Sequence, residues 1–244
     1  MPAATSICMT TTSLTRTAIT IMAEAAATLR LLGWLSPAFP TGAYAYSHGV
    51  EWAVDVGDIS DGATLQTWVE DVLRLGAGRT DAILLRHAHR AHGDIDLLVE
   101  LAELALATAP TRERQAESIV QGNAFAAAAR AWHPSVLIDL AARVGDLPYP
   151  IAVGALAGVS NIDEDAACAG VLQAFAANLI SAAVRLVPLG QSTGLAVLAA
   201  LEPAITEIAV ETSSAALEDI GGAAFRSDIA SMRHETQYTR LFRS

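Results

Sequence analysis

Residues 163–185 read Asp163-Glu164-Asp165-Ala166-Ala167-Cys168-Ala169-Gly170-Val171-Leu172-Gln173-Ala174-Phe175-Ala176-Ala177-Asn178-Leu179-Ile180-Ser181-Ala182-Ala183-Val184-Arg185. Acids open the stretch and an Arg closes it, the arrangement that a helix dipole favours. Val171, Leu172, Phe175, Leu179, Ile180 and Val184 recur at helical spacing and form one apolar stripe. The nineteen residues from Ala166 to Val184 carry no charge, which raises the question of a membrane span. Gln173, Asn178, Ser181 and the many Ala argue against one, because spanning helices are richer in Leu, Ile, Val and Phe. The stretch reads as a long helix buried in an all-helical protein.

The rest of the chain agrees. It holds 244 residues, of which 52% are hydrophobic and 50 are Ala. Ala, Leu, Glu and Arg favour helices, and Pro and Gly fall between the periodic segments. The pattern predicts helices near 23–35, 47–56, 61–76, 80–92, 95–108, 111–132, 135–144, 150–159, 164–187, 191–201 and 203–219. Asp61 and Thr80 are candidate N-caps, Thr111 places Glu113 in a first turn, and Pro134 and Pro203 suit first helical positions. Leu65, Trp68, Val69, Val72 and Leu75 form a second apolar stripe. The expected fold is all-α, a single compact multi-helix domain of about ten helices over residues 23–222. A disordered extension precedes it over 1–22, and a C-terminal arm follows over 223–244. Residues 1–21 hold seven Thr, two Ser and one charge, Arg16, with no helical period. Met22 opens a cleaner chain and is a candidate start.

Composition excludes several chemistries. All 15 basic residues are Arg, so neither a Walker phosphate loop nor a Schiff-base lysine exists here. A net charge of −11 repels nucleic acid. Cys8 and Cys168 alone cannot build a disulfide framework or a cysteine zinc site. His87, His89 and His92 do not all share one helix face, and the set reads as a solvated or capping face. Gly-x-Ser-x-Gly is absent. No catalytic, metal or cofactor-binding residue is assigned. A rival reading makes the chain a small helical enzyme working through His48 and Glu51.

Two segments stand out. Leu35-Ser-Pro-Ala-Phe-Pro-Thr-Gly-Ala-Tyr-Ala-Tyr-Ser-His-Gly-Val-Glu-Trp52 is a Pro- and Gly-fixed loop dense in aromatics, in which Ser47 can cap the next helix. Ser231-Met-Arg-His-Glu-Thr-Gln-Tyr-Thr-Arg-Leu-Phe-Arg-Ser244 lies in a segment, 226–244, with four Arg against Asp228 and Glu235. Arg beside Tyr238, Leu241 and Phe242 is the composition of interface hot spots. With Gly221-Gly222 as a hinge, this reads as a mobile, partner-seeking arm.

With Arg185-Leu-Val-Pro-Leu-Gly-Gln191 between them, these segments carry a resemblance. The chain resembles the urease accessory protein F (UreF) family over roughly 29–244, departing mildly at Ala45 and Thr239, where the family often has Ser. The resemblance implies an all-helical, cytoplasmic homodimer without catalytic activity of its own. It implies an adaptor in nickel insertion into apo-urease, a chaperone of metallocentre assembly that binds accessory protein D/H and recruits or regulates the accessory GTPase G. An alternative is a GTPase activator that supplies an Arg to that partner. No resident cofactor, nucleic acid or membrane is implied. The partner-binding residues it suggests are Tyr44, Tyr46, His48, Glu51, Arg185, Gln191, Arg233, His234, Glu235, Tyr238, Arg240, Leu241, Phe242 and Arg243.

Overall fold

The computed structural model describes residues 21–132 and 135–244. The disorder expected at the N-terminus, Cys8 and the Pro134 assignment therefore lie outside the described residues, apart from 21 and 22, which are helical. The architecture is all-α, with no strand among the described residues. Helix α1 runs over 21–34. It is followed by α2 (Val50–Asp55), α3 (Gly62–Leu75), α4 (Ala77–Arg90), α5 (Ile95–Ala107), α6 (Arg112–Ala128) and α7 (Ser135–Val144). Then come α8 (Tyr149–Val159), α9 (Glu164–Leu186), α10 (Gly190–Ala200), α11 (Glu202–Glu211) and α12 (Phe225–His234).

The start signals act as hydrogen bonds. Asp61 accepts from the Thr64 N–H at 2.9 Å, Thr111 from the Arg114 N–H at 3.1 Å and Asp163 from the Ala166 N–H at 2.9 Å. Thr80 does not cap, because α4 already begins at Ala77. Its hydroxyl instead faces the Gly221 carbonyl.

At the centre α8 lies against α4. Pro150 through Gly158 are all buried, so this helix is apolar around its whole circumference. Small residues let it sit close: a Cβ on Gly154 would overlap the Leu85 carbonyl oxygen. Trp34, Phe39, Phe125, Trp132 and Tyr149 close one end of the core, with Trp34 edge-on to Phe125 at 5.9 Å.

Helix α9 and the continuous helical segment Gly190–Ser214 are each long and apolar enough to cross a membrane. In the fold each buries one face in the core. Leu172, Ala176, Leu179 and Ala183 of α9 are buried, as are Val197, Leu201, Ile205 and Ile208 of the second segment. The acids that open α9 do more than serve its dipole. Buried Arg86 donates to Glu164 at 2.6 Å, to Asp165 at 2.7 Å and to the Ala209 carbonyl at 2.6 Å, tying α4, α9 and α11 together.

Three expectations need correction. The helix expected over 203–219 ends at Glu211, where the Arg86 guanidinium takes the Ala209 carbonyl at 2.6 Å and Thr212 Oγ1 the Ile208 carbonyl at 2.8 Å, and two 3-10 turns follow. Leu75 is exposed rather than part of its stripe. The C-terminal segment is not a free arm. It contains α12, and the supposed hinge is a docking point, where the Ala223 N–H donates to the Leu75 carbonyl at 2.7 Å.

Candidate partner-binding site

Helix α12 packs on α2 and α6 with an unusual division of its faces. Ser227, Ala230, Ser231 and His234 are buried at helical spacing, a small and polar inner face. Phe225, Ile229 and Met232 are exposed. Small inner residues permit close approach. Gly49, at φ 79°, caps α2 so tightly against α12 that a Cβ there would stand 2.9 Å from the Ser231 N–H nitrogen. The Ser231 hydroxyl meets Thr111 Oγ1 at 2.8 Å, joining α12 to the start of α6.

Beyond α12 the chain folds back onto the aromatic loop. Glu51, in the first turn of α2 and buried, accepts the backbone N–H groups of Leu241 at 2.6 Å and Phe242 at 2.9 Å. Its Oε2 also lies 3.1 Å from Nε2 of His234, whose side chain is 0% exposed. Nδ1 of the same ring lies 2.9 Å from Glu113, which also takes Arg240 at 3.2 Å. Burial holds the Glu113 carboxyl above its usual range, against the pull of His234 and Arg240.

Further along, the Arg243 N–H donates to the Ala45 carbonyl at 2.8 Å and the Ser47 N–H to the Ser244 carbonyl at 2.9 Å. The Ser47 hydroxyl donates to the same carbonyl. The Ser244 hydroxyl donates to Glu117 at 3.0 Å. Glu117 pairs with buried Arg114 at 2.5 Å and accepts from Gln121 at 3.0 Å. Thus the two segments singled out in the sequence form one structure.

The expected site residues divide into supports and surface. His48 is buried in the left-handed region, φ 57°. Its ring stands edge-on to Phe175 at 4.9 Å, and burial, then Arg114, holds it well below the usual imidazole range. Tyr46 is buried, and its carbonyl accepts from Asn178 at 3.2 Å. Glu51, His234 and Phe242 are internal as well. The His48–Glu51 pair faces the protein interior, with Glu51 engaged by the folded-back chain.

Arg185 bridges the two groups. It donates to the Tyr44 carbonyl at 2.8 Å, and its guanidinium lies 4.3 Å from the centre of the Phe242 ring. Tyr44, Arg233, Glu235, Tyr238, Arg240, Leu241 and Arg243 have exposed side chains, and Tyr238 is fully exposed. Gln191 lies exposed in the first turn of α10 and, among the described residues, makes no hydrogen bond to this cluster.

Sequence reasoning did not assign Glu113, Arg114, Glu117, Ser47 or Ser244 to the site. Glu113, Glu117 and Gln121 stand four apart, so their polar face on α6 was a readable signal. His87 and His89 of α4 and His92 in the turn after it each meet a backbone carbonyl. His87 meets the Ala215 carbonyl at 3.0 Å, His89 the Ile162 carbonyl at 2.8 Å and His92 the His89 carbonyl at 2.8 Å. Among the described residues no group of three His, Cys, Asp or Glu could hold a metal ion.

Comparison with known proteins supplies context for this geometry. The UreF family profile matches residues 59–202. The chain is 52% identical over 218 residues to a urease accessory protein UreF of Bradyrhizobium sp. (strain BTAi1), covering 88% of this chain and 91% of the relative. It is 51% identical to one from Methylorubrum populi, covering 88% and 98%. A third relative, from Cereibacter sphaeroides strain KD131, is 52% identical, covering 90% and 99%.

Proposed function

Because this chain belongs to the urease accessory protein UreF family, we propose that it is a non-enzymatic adaptor in the nickel-dependent maturation of urease. It works in the cytoplasm as a homodimer, binds accessory protein D/H through its C-terminal segment and brings the accessory GTPase G to apo-urease. Nickel is the cargo of that assembly rather than a resident cofactor. The accessory role is what the names of its relatives print.

One observation carries the choice of surface. The C-terminal segment spends its hydrogen bonds and small residues inward and leaves its large apolar groups outside. Phe225, Ile229, Met232, Tyr238 and Leu241 are all exposed, with Arg233, Arg240 and Arg243 among them. Clustered exposed apolar groups on a soluble fold mark contact surfaces, and aromatic residues with Arg are enriched at hot spots. The segment's positive balance suits an acidic partner surface. Further apolar exposure at Leu29 and Leu32 of α1 and Leu195 of α10 supports a second copy of the chain as another partner.

The test is co-purification with accessory protein D/H using surface variants. Removing 226–244 is a poor test, because it also takes away buried His234 and Phe242. Tyr238→Ala with Leu241→Ala should sharply reduce capture while the helical circular dichroism stays the same. Undiminished capture by that double variant would refute the surface.

A further inference from the structure

His234 sits between two acids. Its Nε2 faces Glu51 of α2 and its Nδ1 faces Glu113 of α6, at 3.1 and 2.9 Å. A neutral imidazole has one donor and one acceptor nitrogen, while an ionised carboxylate only accepts. Two carboxylates around the ring therefore require one proton more than a neutral ring and two anions supply. The ring carries it and donates from both nitrogens, or Glu113 does. Burial favours holding it, since it raises the Glu113 carboxyl above its usual range. Glu51 is also the acceptor for the Leu241 and Phe242 N–H groups, so the cluster that holds the proton also holds the chain end.

We infer that His234, Glu51 and Glu113 form a proton-linked clasp, which keeps residues 235–244 on α2 and α6 at acidic to neutral pH and releases them as pH rises. When the proton leaves, a ring lone pair faces a carboxylate, and that repulsion falls on the residues that anchor the tail. On the tail, Arg240 is held to Glu113, and Glu235 adds negative potential there. On α6, Arg114 and Glu117 pair with each other, with His48 of the loop beside Glu117. At the far end of α12, Arg226 pairs with Asp58, and Asp228 is held above the usual carboxylate range by burial.

The cluster satisfies both acids only while it holds the shared proton, so docking weakens as pH rises and that proton leaves. The clasp rests on the placement of His234 between Glu51 and Glu113 and does not depend on the adaptor reading.

Amide hydrogen exchange of the full chain, read by mass spectrometry between about pH 5.5 and about pH 9, tests it. Rates are corrected for intrinsic exchange, and a peptide from α8 serves as the internal standard. Protection of the 236–244 peptide should fall about tenfold or more across the range while the α8 peptide holds. His234→Gln can donate to only one acid and should leave the tail poorly protected at every pH. Glu113→Gln should do the opposite, because its amide can donate to the neutral ring, leaving the tail protected at every pH. Tail protection that tracks α8 in the wild type, or an unchanged pH dependence in Glu113→Gln, would overturn the clasp. Should His234→Gln unfold α8 as well, the wild-type and Glu113→Gln profiles still decide the question.

Discussion

The carboxylate of Glu51, near the start of the chain, accepts the backbone N–H of Phe242, 191 positions away, at 2.9 Å. Both groups are buried. Glu51→Gln leaves one oxygen to serve two backbone donors and a ring nitrogen. A buried donor without a partner costs about 1–3 kcal/mol. For a chain of this size that is a fall in Tm of roughly 2–4 °C per kcal/mol. A thermal melt followed by circular dichroism reads it, and an unchanged Tm would show that the Glu51 contacts do not hold the tail.

Phe242 and Arg185 should couple. The Phe242 ring is buried under the Arg185 guanidinium at 4.3 Å. Phe242→Ala should cost about 3 kcal/mol by loss of packing. Arg185→Ala should cost less, since the side chain is exposed. A double-mutant cycle should return a coupling of about 0.5–1 kcal/mol. Strict additivity would mean that the stacking contributes nothing.

Two glycines separate conformation from contact. Gly42 (φ 76°) and Gly49 (φ 79°) are both left-handed, but a Cβ on Gly42 meets nothing within 4 Å, whereas on Gly49 it meets α12. Gly42→Ala should cost about 1–2 kcal/mol. Gly49→Ala should cost clearly more and should also raise hydrogen exchange in α12. Equal losses of stability in urea titrations would contradict the close approach.

The pH profile of stability should carry two opposite contributions. Asp81 is pushed up to about 6, burial outweighing the pull of Arg114. An acid raised in the fold stabilises while protonated, so its contribution is present at low pH and is lost as pH rises through about 6. His48 is lowered by burial. Its contribution is present above the ordinary imidazole value of about 6.5 and is lost as pH falls through its lowered folded value. Asp81→Asn should therefore gain stability relative to the wild type at pH 8 and not at pH 4, as read by urea unfolding at the two values. A mutational effect independent of pH would place Asp81 in solvent.

Much of the fold was legible because its helices obey their own local rules. Asp61 caps where the sequence put it, Glu113 and the acids at 163–165 stand at the helix starts expected of them, and the stripe of α9 faces the core. Helix α12 escaped because its pattern runs the other way. Burial by hydrophobicity would turn Phe225, Ile229 and Met232 inward, yet the fold buries Ser227, Ala230, Ser231 and His234. That choice is set by the partners on α2 and α6, Gly49, Thr111, Glu51 and Glu113, which are remote in sequence. The two site segments were visible as aromatic and Arg-rich motifs. Their union was not, because it depends on hydrogen bonds from the chain end to Glu51 and Ser47.

The most direct measurement is the affinity of the full chain for accessory protein D/H, by calorimetry, for wild type and for Tyr238→Ala with Leu241→Ala. Both side chains are exposed, so the double variant should melt within about 1 °C of the wild type, as surface changes away from packed features do. If the C-terminal segment is the binding surface, affinity should fall by about 30-fold or more, the loss of one hot spot of about 2 kcal/mol. Wild-type affinity in a variant with a wild-type Tm would show that accessory protein D/H binds elsewhere.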